Sequence, residues 1–121
     1  MSLVLEHVSR TVDGQVCIAD ACLRFEPGSF NVLLGRTLAG KTSLMRLMAG
    51  LDRPDHGRVL MNGVDVTGRA VRQRNVSMVY QQFINYPTLS VFENIASPLR
   101  QARVREDEIR DRVQRTASML R

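Results

Sequence analysis

The chain begins with two strand-like runs of apolar and polar residues. Residues 3–12 and 15–26 are typical of strands. Asp13-Gly14 between them is the dipeptide best suited to the positive φ angles of a tight hairpin turn. We therefore predict that the chain opens with an antiparallel hairpin.

Two later segments are mostly apolar rather than alternating. Residues 30–34 and residues 75–80 have the short apolar pattern of strands that are buried on both faces. Between them, an Asn-Gly pair at 62–63 separates the strand-like segments 58–61 and 64–67. The pattern predicts two buried strands and a second hairpin.

A first helix is predicted after the loop at 35–40. Gly50 and Pro54 supply its stop, because Gly accepts the left-handed turn at a helix end and Pro cannot continue a helix. Apolar residues recur there at i, i+3, i+4 and i+7, the stripe of an amphipathic helix, at Leu44, Leu47, Met48 and Leu51.

From Ser90 onward the pattern is helical. Ser90 and Glu93, three residues apart, match a capping box. Pro98 is expected to end or kink this helix. Its apolar positions recur every four residues, at Val91, Ile95 and Leu99. A last surface helix, without an obvious cap at its end, is predicted from the apolar face of Ile109, Val113, Ala117 and Leu120.

Composition indicates a packed protein of at most one domain. The chain has 121 residues, of which 44% are apolar and 24% charged, so disorder and fibrous classes are excluded. The net charge is +5, and Lys41 is the one lysine among 17 basic residues. No apolar run approaches the ~20 residues that cross a bilayer, and the first residues do not resemble a signal peptide. We expect the chain in the cytoplasm.

The cysteines and histidines give no sign of a metal site in the sequence. Cys17 and Cys22 are five residues apart, so their side chains would point to opposite faces of an extended segment. His7 and His56 stand alone, away from cysteines and acidic clusters at ligand spacing. We expect all four to be ordinary structural residues.

One loop has the pattern of a phosphate-binding site. It fits G-x-x-x-x-G-K-[ST], and it follows the predicted strand 30–34 and opens the predicted first helix, as this motif requires. The chain's one lysine stands at the position where the motif needs an ammonium. The matching residues are Gly35, Arg36, Thr37, Leu38, Ala39, Gly40, Lys41 and Thr42.

The chemistry of this pattern is that of a nucleoside triphosphate site. Consecutive backbone N–H groups and a helix N-terminus offer donors and partial positive charge to phosphate oxygens. Lys41 would reach the β- and γ-phosphates, and the Thr42 hydroxyl would ligate Mg²⁺. The sequence therefore predicts a phosphate loop.

The chain resembles the N-terminal part of an ABC transporter ATP-binding subunit over nearly all its length. The opening hairpin, the phosphate loop continued by Ser43, the segment 51–63 and the segment 76–94 lie in family order. The resemblance is nearest to importers of sugars, polyols or glycerol phosphate. It implies an α/β fold of the P-loop NTPase type, with a mixed sheet, an antiparallel β part and the start of a helical subdomain.

The resemblance also implies roles for further residues. Gln81 stands in a segment similar to the family's glutamine loop. There it would contact Mg²⁺ and the attacking water, and it would link the nucleotide site to the membrane partner. Gln82 is the second candidate for this role. Val12 stands where the family usually has an aromatic residue on adenine. Many members have Gly where Leu38 stands, so Leu38 would be strained if the loop needs a left-handed backbone there.

Several catalytic elements of the family have no counterpart in these 121 residues. The apolar strand ending in Asp-Glu, the Leu-Ser-Gly-Gly-Gln signature and the switch His are not found. The chain is thus similar to about the first half of a family domain, with the core at 1–90 and the start of the helical subdomain at 91–121. The resemblance implies ATP and Mg²⁺ as cofactors. A second ATP-binding subunit and transmembrane permease subunits would be partners at the inner face of the cell membrane.

Three alternatives remain open from the sequence. A small kinase would also use a phosphate loop, although no acceptor site or lid is evident. A non-catalytic nucleotide-binding or assembly module would differ only in the missing elements. Nucleic-acid binding is suggested by a pI near 10.2 and seven arginines between residues 100 and 121. Acidic residues interrupt that run and it has no aromatic residues, so we expect a solvated helix face and no nucleic-acid partner.

Overall fold

A computed structural model of the chain describes residues 1–120; Arg121, at the end of the predicted helical part, lies outside the described residues. The chain divides into two compact units, one of residues 1–79 and one that begins at Tyr80. The first unit contains strands β1 (Leu3–Val12) and β2 (Gln15–Phe25), helix α1 (Lys41–Ala49), strands β3 (His56–Met61) and β4 (Val64–Asp65), and a short 3-10 turn (Val71–Gln73). The second contains helices α2 (Val91–Gln101) and α3 (Glu106–Met119).

The four strands form one antiparallel sheet in the order β2-β1-β3-β4. Both predicted hairpins are confirmed. Asp13 and Gly14 have φ angles of 49° and 77°, and Asn62 and Gly63 have 50° and 76°, which are the left-handed values that a two-residue hairpin turn requires. The α/β fold class is confirmed as well.

The core of the first unit lies between α1 and the sheet. Leu5 and Val8 of β1 and Val59 of β3 are almost fully buried, and Leu44 and Leu47 of α1 join the same cluster. The predicted stripe of α1 is therefore largely confirmed. The helix ends as predicted at Gly50, which has a φ of 85° and donates its N–H to the last carbonyl groups of the helix.

The two predicted buried strands are wrong. Residues 30–34 and 75–80 are outside any strand, and Phe30 is 93% exposed. A buried strand needs a hydrogen-bonded neighbour and a covered face. Within residues 1–120 the sheet has only its four antiparallel strands, so neither apolar segment has a ladder partner.

The second unit is a pair of helices with its own small core. Ala96, Ile109 and Val113 are buried between α2 and α3, whereas the predicted apolar positions Ala117 and Leu120 are exposed. The cap of α2 is confirmed, since Ser90 Oγ accepts a hydrogen bond from Glu93 N at 3.2 Å.

Pro98 was expected to end or kink α2, and it does not end the helix, which continues to Gln101. Helix α3 ends at Met119, and Leu120 is its C-cap residue. In residues 1–120, no helix is both long enough and apolar enough to cross a membrane.

Candidate functional site

The loop between residue 34 and α1, where the sequence predicts a phosphate loop, contains a tight turn. Ala39 N donates to Arg36 O at 3.2 Å, which closes a tight turn. Leu38 and Gly40 on either side of Ala39 have φ angles of 66° and 87°. Leu38 therefore has the left-handed backbone that the sequence analysis expected to be strained for a residue other than glycine. Its side chain is 99% exposed.

Gly40 fixes the loop against the sheet. A Cβ atom at this position would collide with the carbonyl oxygen of Cys17 in β2 and would lie 3.2 Å from Ile18 Cδ1. Both this close approach and the positive φ require glycine. The second glycine of the motif thus sets where α1 begins relative to β2.

Lys41 is the first residue of α1 and its side chain turns back over the loop. The ammonium Nζ donates to Gly35 O at 2.7 Å and to Arg36 O at 2.6 Å. An ammonium has three N–H donors, so these two bonds leave one donor for an anion. The two bonds hold the positive charge at the mouth of the loop.

The N-terminal end of α1 offers further donors. Its cap residue Gly40 makes no side-chain capping bond, and the first turn contains no acidic residue. The helical hydrogen bonds begin with Leu44 N donating to Gly40 O at 2.9 Å. The N–H groups of Lys41, Thr42 and Ser43 are therefore not used within the helix, and they lie at the positive end of its dipole.

These features suit a phosphate group. Thr37 and Ala39 of the loop are exposed, as is Thr42. A Cβ added at Gly35 would make only ordinary contacts, the nearest at 3.5 Å to Ala39 Cβ and the next at 3.7 Å to Lys41 Cδ. Backbone donors, a held ammonium and a hydroxyl thus meet at one exposed helix start, which is the donor set that phosphate and Mg²⁺ use.

Val12 lies at the turn end of the first hairpin and is 40% exposed. Its partner across the ladder is Gln15, and Cys17, which contacts the Gly40 position, follows two residues later. Two residues of a strand span about 7 Å. Val12 is therefore near the phosphate loop within the same unit.

Gln81 and Gln82 belong to the second unit and are exposed. The segment that follows is organised by Asn94 of α2. Its Oδ1 accepts from Tyr86 N at 2.7 Å, and its Nδ2 donates to the carbonyl groups of Tyr86, Leu89 and Ser90 at 3.0–3.1 Å. Sequence reasoning assigned Asn94 no role, because one asparagine in a helix gives no signal of such a network.

Arg74 was also missed by the sequence analysis. It is 3% exposed and lies at the C-terminal end of α1, where Nη1 donates to the carbonyl groups of Leu47 and Met48 at 3.2 and 3.3 Å. Burial lowers the pKa of its guanidinium, while the nearby Asp65 charge opposes that change. Arg74 thus holds the end of the helix whose start carries the phosphate loop.

Comparisons with known proteins find relatives among import ATP-binding proteins. The chain is 36% identical over 118 residues to the spermidine/putrescine import ATP-binding protein PotA of Protochlamydia amoebophila, a match that covers 98% of this chain and 32% of that protein. It is 35% identical over 111 residues to the Fe(3+) ions import ATP-binding protein FbpC of Vibrio cholerae, covering 92% and 32%. It is 40% identical over 100 residues to the sulfate/thiosulfate import ATP-binding protein CysA of Ralstonia nicotianae, covering 83% and 27%.

The fold is also found among solved structures. The dimeric structure of a post-hydrolysis state of the ATP-binding cassette MJ0796, bound to ADP and Pi, matches with a TM-score of 0.82 and 22% identity. The match covers 97% of this chain and 56% of that one. The chain spans about a third of the length of the curated relatives it matches. Because the ABC transporter family model matches residues 18–121, most of the chain, this protein belongs to the ABC transporter family.

Proposed function

We propose that this chain is the ATP-binding part of an ABC importer's ATPase subunit. One observation carries the proposal. The Lys41 ammonium is hydrogen-bonded to two carbonyl groups of the loop, and it lies at the start of α1 beside backbone N–H groups that the helix does not use. The relatives named above are import ATP-binding proteins, which supports the same assignment.

In this proposal the loop 35–43 cradles the phosphates of ATP. Lys41 pairs with the β- and γ-phosphate oxygens, and the backbone N–H groups of Gly40 to Ser43 donate to them. Thr42 is the proposed ligand of Mg²⁺, which would neutralise phosphate charge when bound. The role of Gln81, which belongs to the second unit, remains a prediction from the family resemblance. Val12 is proposed to lie under adenine, with an aliphatic contact in place of aromatic stacking.

We propose further that the whole subunit works as a dimer on transmembrane permease subunits at the inner face of the membrane. Residues 1–90 would be the nucleotide-binding core and 91–121 the start of the helical subdomain. The resemblance of the segment 76–94 to subunits for sugars, polyols or glycerol phosphate remains a prediction. The relatives named above are instead called importers of polyamines, iron and sulfate, so the proposal is limited to import of a solute.

The 121 residues alone are proposed to bind nucleotide without measurable turnover. They contain no Asp-Glu pair after an apolar strand, no signature loop and no switch His. Loss of one positioned acid-base or electrostatic group lowers a rate by about 10²- to 10³-fold. Phosphate release with Mg-ATP should therefore equal that of a Lys41→Ala control, and turnover that vanishes in this control would contradict the proposal.

Nucleotide binding is the direct test. The purified chain is titrated with a fluorescent ATP analogue with and without Mg²⁺. Lys41→Ala should weaken binding at least about 30-fold, because a charge-assisted phosphate contact of roughly 2 kcal/mol is lost. Thr42→Ala should weaken binding only when Mg²⁺ is present.

The matched control is Arg72→Ala, which removes one exposed positive charge from the 3-10 turn of the same unit. It should leave the affinity within about twofold. If Lys41→Ala binds as well as the unchanged chain, or if both substitutions weaken binding equally, the phosphate-loop assignment is wrong.

A further inference from the structure

His7, Asp20 and Cys22 come together on the exposed face of the first hairpin. Their potential ligand atoms all lie within 4.8 Å of one another, and His7 Nδ1 is 2.7 Å from Asp20 Oδ1. Within residues 1–120 no other group of three such side chains lies this close. The phosphate-loop function uses none of the three.

Two complementary irregularities of the β1–β2 ladder create this cluster. Leu5 pairs with Leu23 and Val8 with Ala21, so Glu6 and His7 stand opposite the single residue Cys22. On the other side of the Val8–Ala21 pair, two residues of β2, Ala19 and Asp20, stand opposite Ser9. Each strand thus has one extra residue next to the same central pair, which is the geometry of a β-bulge.

The bulged residues are the ones that carry ligand groups. His7 and Asp20 have φ angles of 50° and 47°, in the region that non-glycine residues rarely adopt. Backbone bonds hold both in place: His7 N donates to Cys22 Sγ at 3.3 Å, and Asp20 N donates to Ser9 Oγ at 3.0 Å. The ligand atoms of Asp20 and Cys22 lie within 4.8 Å of each other, and both residues are exposed.

We propose that His7, Asp20 and Cys22 bind a divalent transition-metal ion of the Zn²⁺ type, with water as the fourth ligand. An imidazole, a thiolate and a carboxylate together favour this borderline ion, whereas Mg²⁺ takes oxygen ligands only. Ligand atoms around tetrahedral Zn²⁺ lie roughly 3.3–3.6 Å apart, as bond lengths of about 2.0–2.3 Å require. The observed separations, 2.7 Å for the His7–Asp20 pair and at most 4.8 Å overall, span that range.

The remaining cysteine and histidine do not share this arrangement. Cys17 is half-buried and packs against the core of the first unit, and His56 lies at the start of β3. The chain has only two cysteines and two histidines, so Cys17 is the natural control for Cys22 and His56 is the natural control for His7.

Cobalt is the probe of choice, because Co²⁺ replaces Zn²⁺ and a bound thiolate gives a charge-transfer band in the near ultraviolet. The reduced full chain, kept free of nucleotide, is titrated with Co²⁺ and then with Zn²⁺. We expect the band to appear, Zn²⁺ to remove it, Cys22→Ser to abolish it and Cys17→Ser to retain it. Thr42 of the phosphate loop offers no sulfur, so Co²⁺ there gives no such band.

Affinity for Zn²⁺, measured by competition with a coloured chelator, tests the other two ligands. His7→Gln and Asp20→Asn should each weaken binding at least about 10-fold, and His56→Gln should change it less than twofold. The three ligand residues are exposed, so far-ultraviolet circular dichroism should be unchanged in the variants of His7, Asp20 and Cys22. A missing band, a band that persists in Cys22→Ser, or equal losses in the two histidine variants would overturn the proposal.

Discussion

The guanidinium of Arg74 lies in the space beside Gly50, where a Cβ atom at Gly50 would collide with the arginine Nε and Cζ. Arg74 is buried and bonds to backbone carbonyl groups rather than to a carboxylate, namely those of Leu47, Met48, Thr67 and Arg69. The carbonyl groups of a last helical turn have no partner within the helix. Arg74 and Gly50 therefore fit each other, and together they end α1.

Arg74→Met should destabilise the first unit by about 2–4 kcal/mol, because buried carbonyl groups lose their donors. Urea unfolding followed by circular dichroism measures the loss. Arg72→Met, two residues away and exposed, should change stability by less than about 0.5 kcal/mol. Similar losses of stability in the two variants would show that the buried hydrogen bonds of Arg74 do not stabilise the first unit.

Gly40→Ala should be strongly destabilising and Gly35→Ala should be mild. A Cβ at Gly40 meets the backbone of Cys17 at a positive φ, whereas a Cβ at Gly35 makes only contacts of 3.5 Å or more. We expect a loss above about 2 kcal/mol for the first variant and below about 1 kcal/mol for the second. Thermal unfolding of both compares them, and equal melting temperatures would contradict the close approach of loop and strand.

Leu38→Asn should stabilise the chain by up to about 1 kcal/mol. Leu38 has a φ of 66° and a side chain that is 99% exposed, so the substitution relieves backbone strain and loses no packing. Leu34→Asn is the control, because Leu34 is 85% exposed and is not among the residues with positive φ. Chemical denaturation should show a gain only for Leu38→Asn; a gain in both variants would point to lost surface hydrophobicity instead.

Val12→Tyr should tighten binding of adenine nucleotides by up to about 1 kcal/mol, since an aromatic ring adds stacking. Val16→Tyr is the control, because it adds the same ring on the other face of the hairpin. Val16 pairs with Thr11, and the side chains of the neighbours Thr11 and Val12 point to opposite faces. Calorimetry with ATP compares the two. No gain at Val12, or the same gain at both positions, would place adenine elsewhere.

The Asp52 carboxylate should contribute to stability at neutral pH, and this contribution should be lost as pH falls below about 4. Arg46 donates to its carboxylate at 2.8 and 2.9 Å, and this bond is the main cause that lowers the pKa of Asp52. A pKa that is lower in the folded chain gives stability that is present above the unfolded value of about 3.9 and lost as pH falls through the folded value. Asp52→Asn should thus be less stable at pH 7, and the difference should shrink below pH 4. A difference that stays constant with pH would contradict this.

The sequence by itself determined the local elements whose cause is local. Asp13-Gly14 and Asn62-Gly63 set both hairpins through backbone preference, and Gly50 ends α1 for the same reason. The predicted phosphate loop depends on a motif of eight consecutive residues, within which Lys41 bonds to the backbone, and its ligands are still proposals.

Only the tertiary structure decided the features that depend on partners distant in the chain. Residues 30–34 and 75–80 have the apolar pattern of buried strands, yet a strand forms only where a neighbour supplies its hydrogen bonds, and sequence pattern carries no information on that neighbour. His7 stands 13 residues from Asp20 and 15 from Cys22, and two bulges in the ladder bring them together. A bulge shifts register by one residue, and that shift decides which side chains share a face.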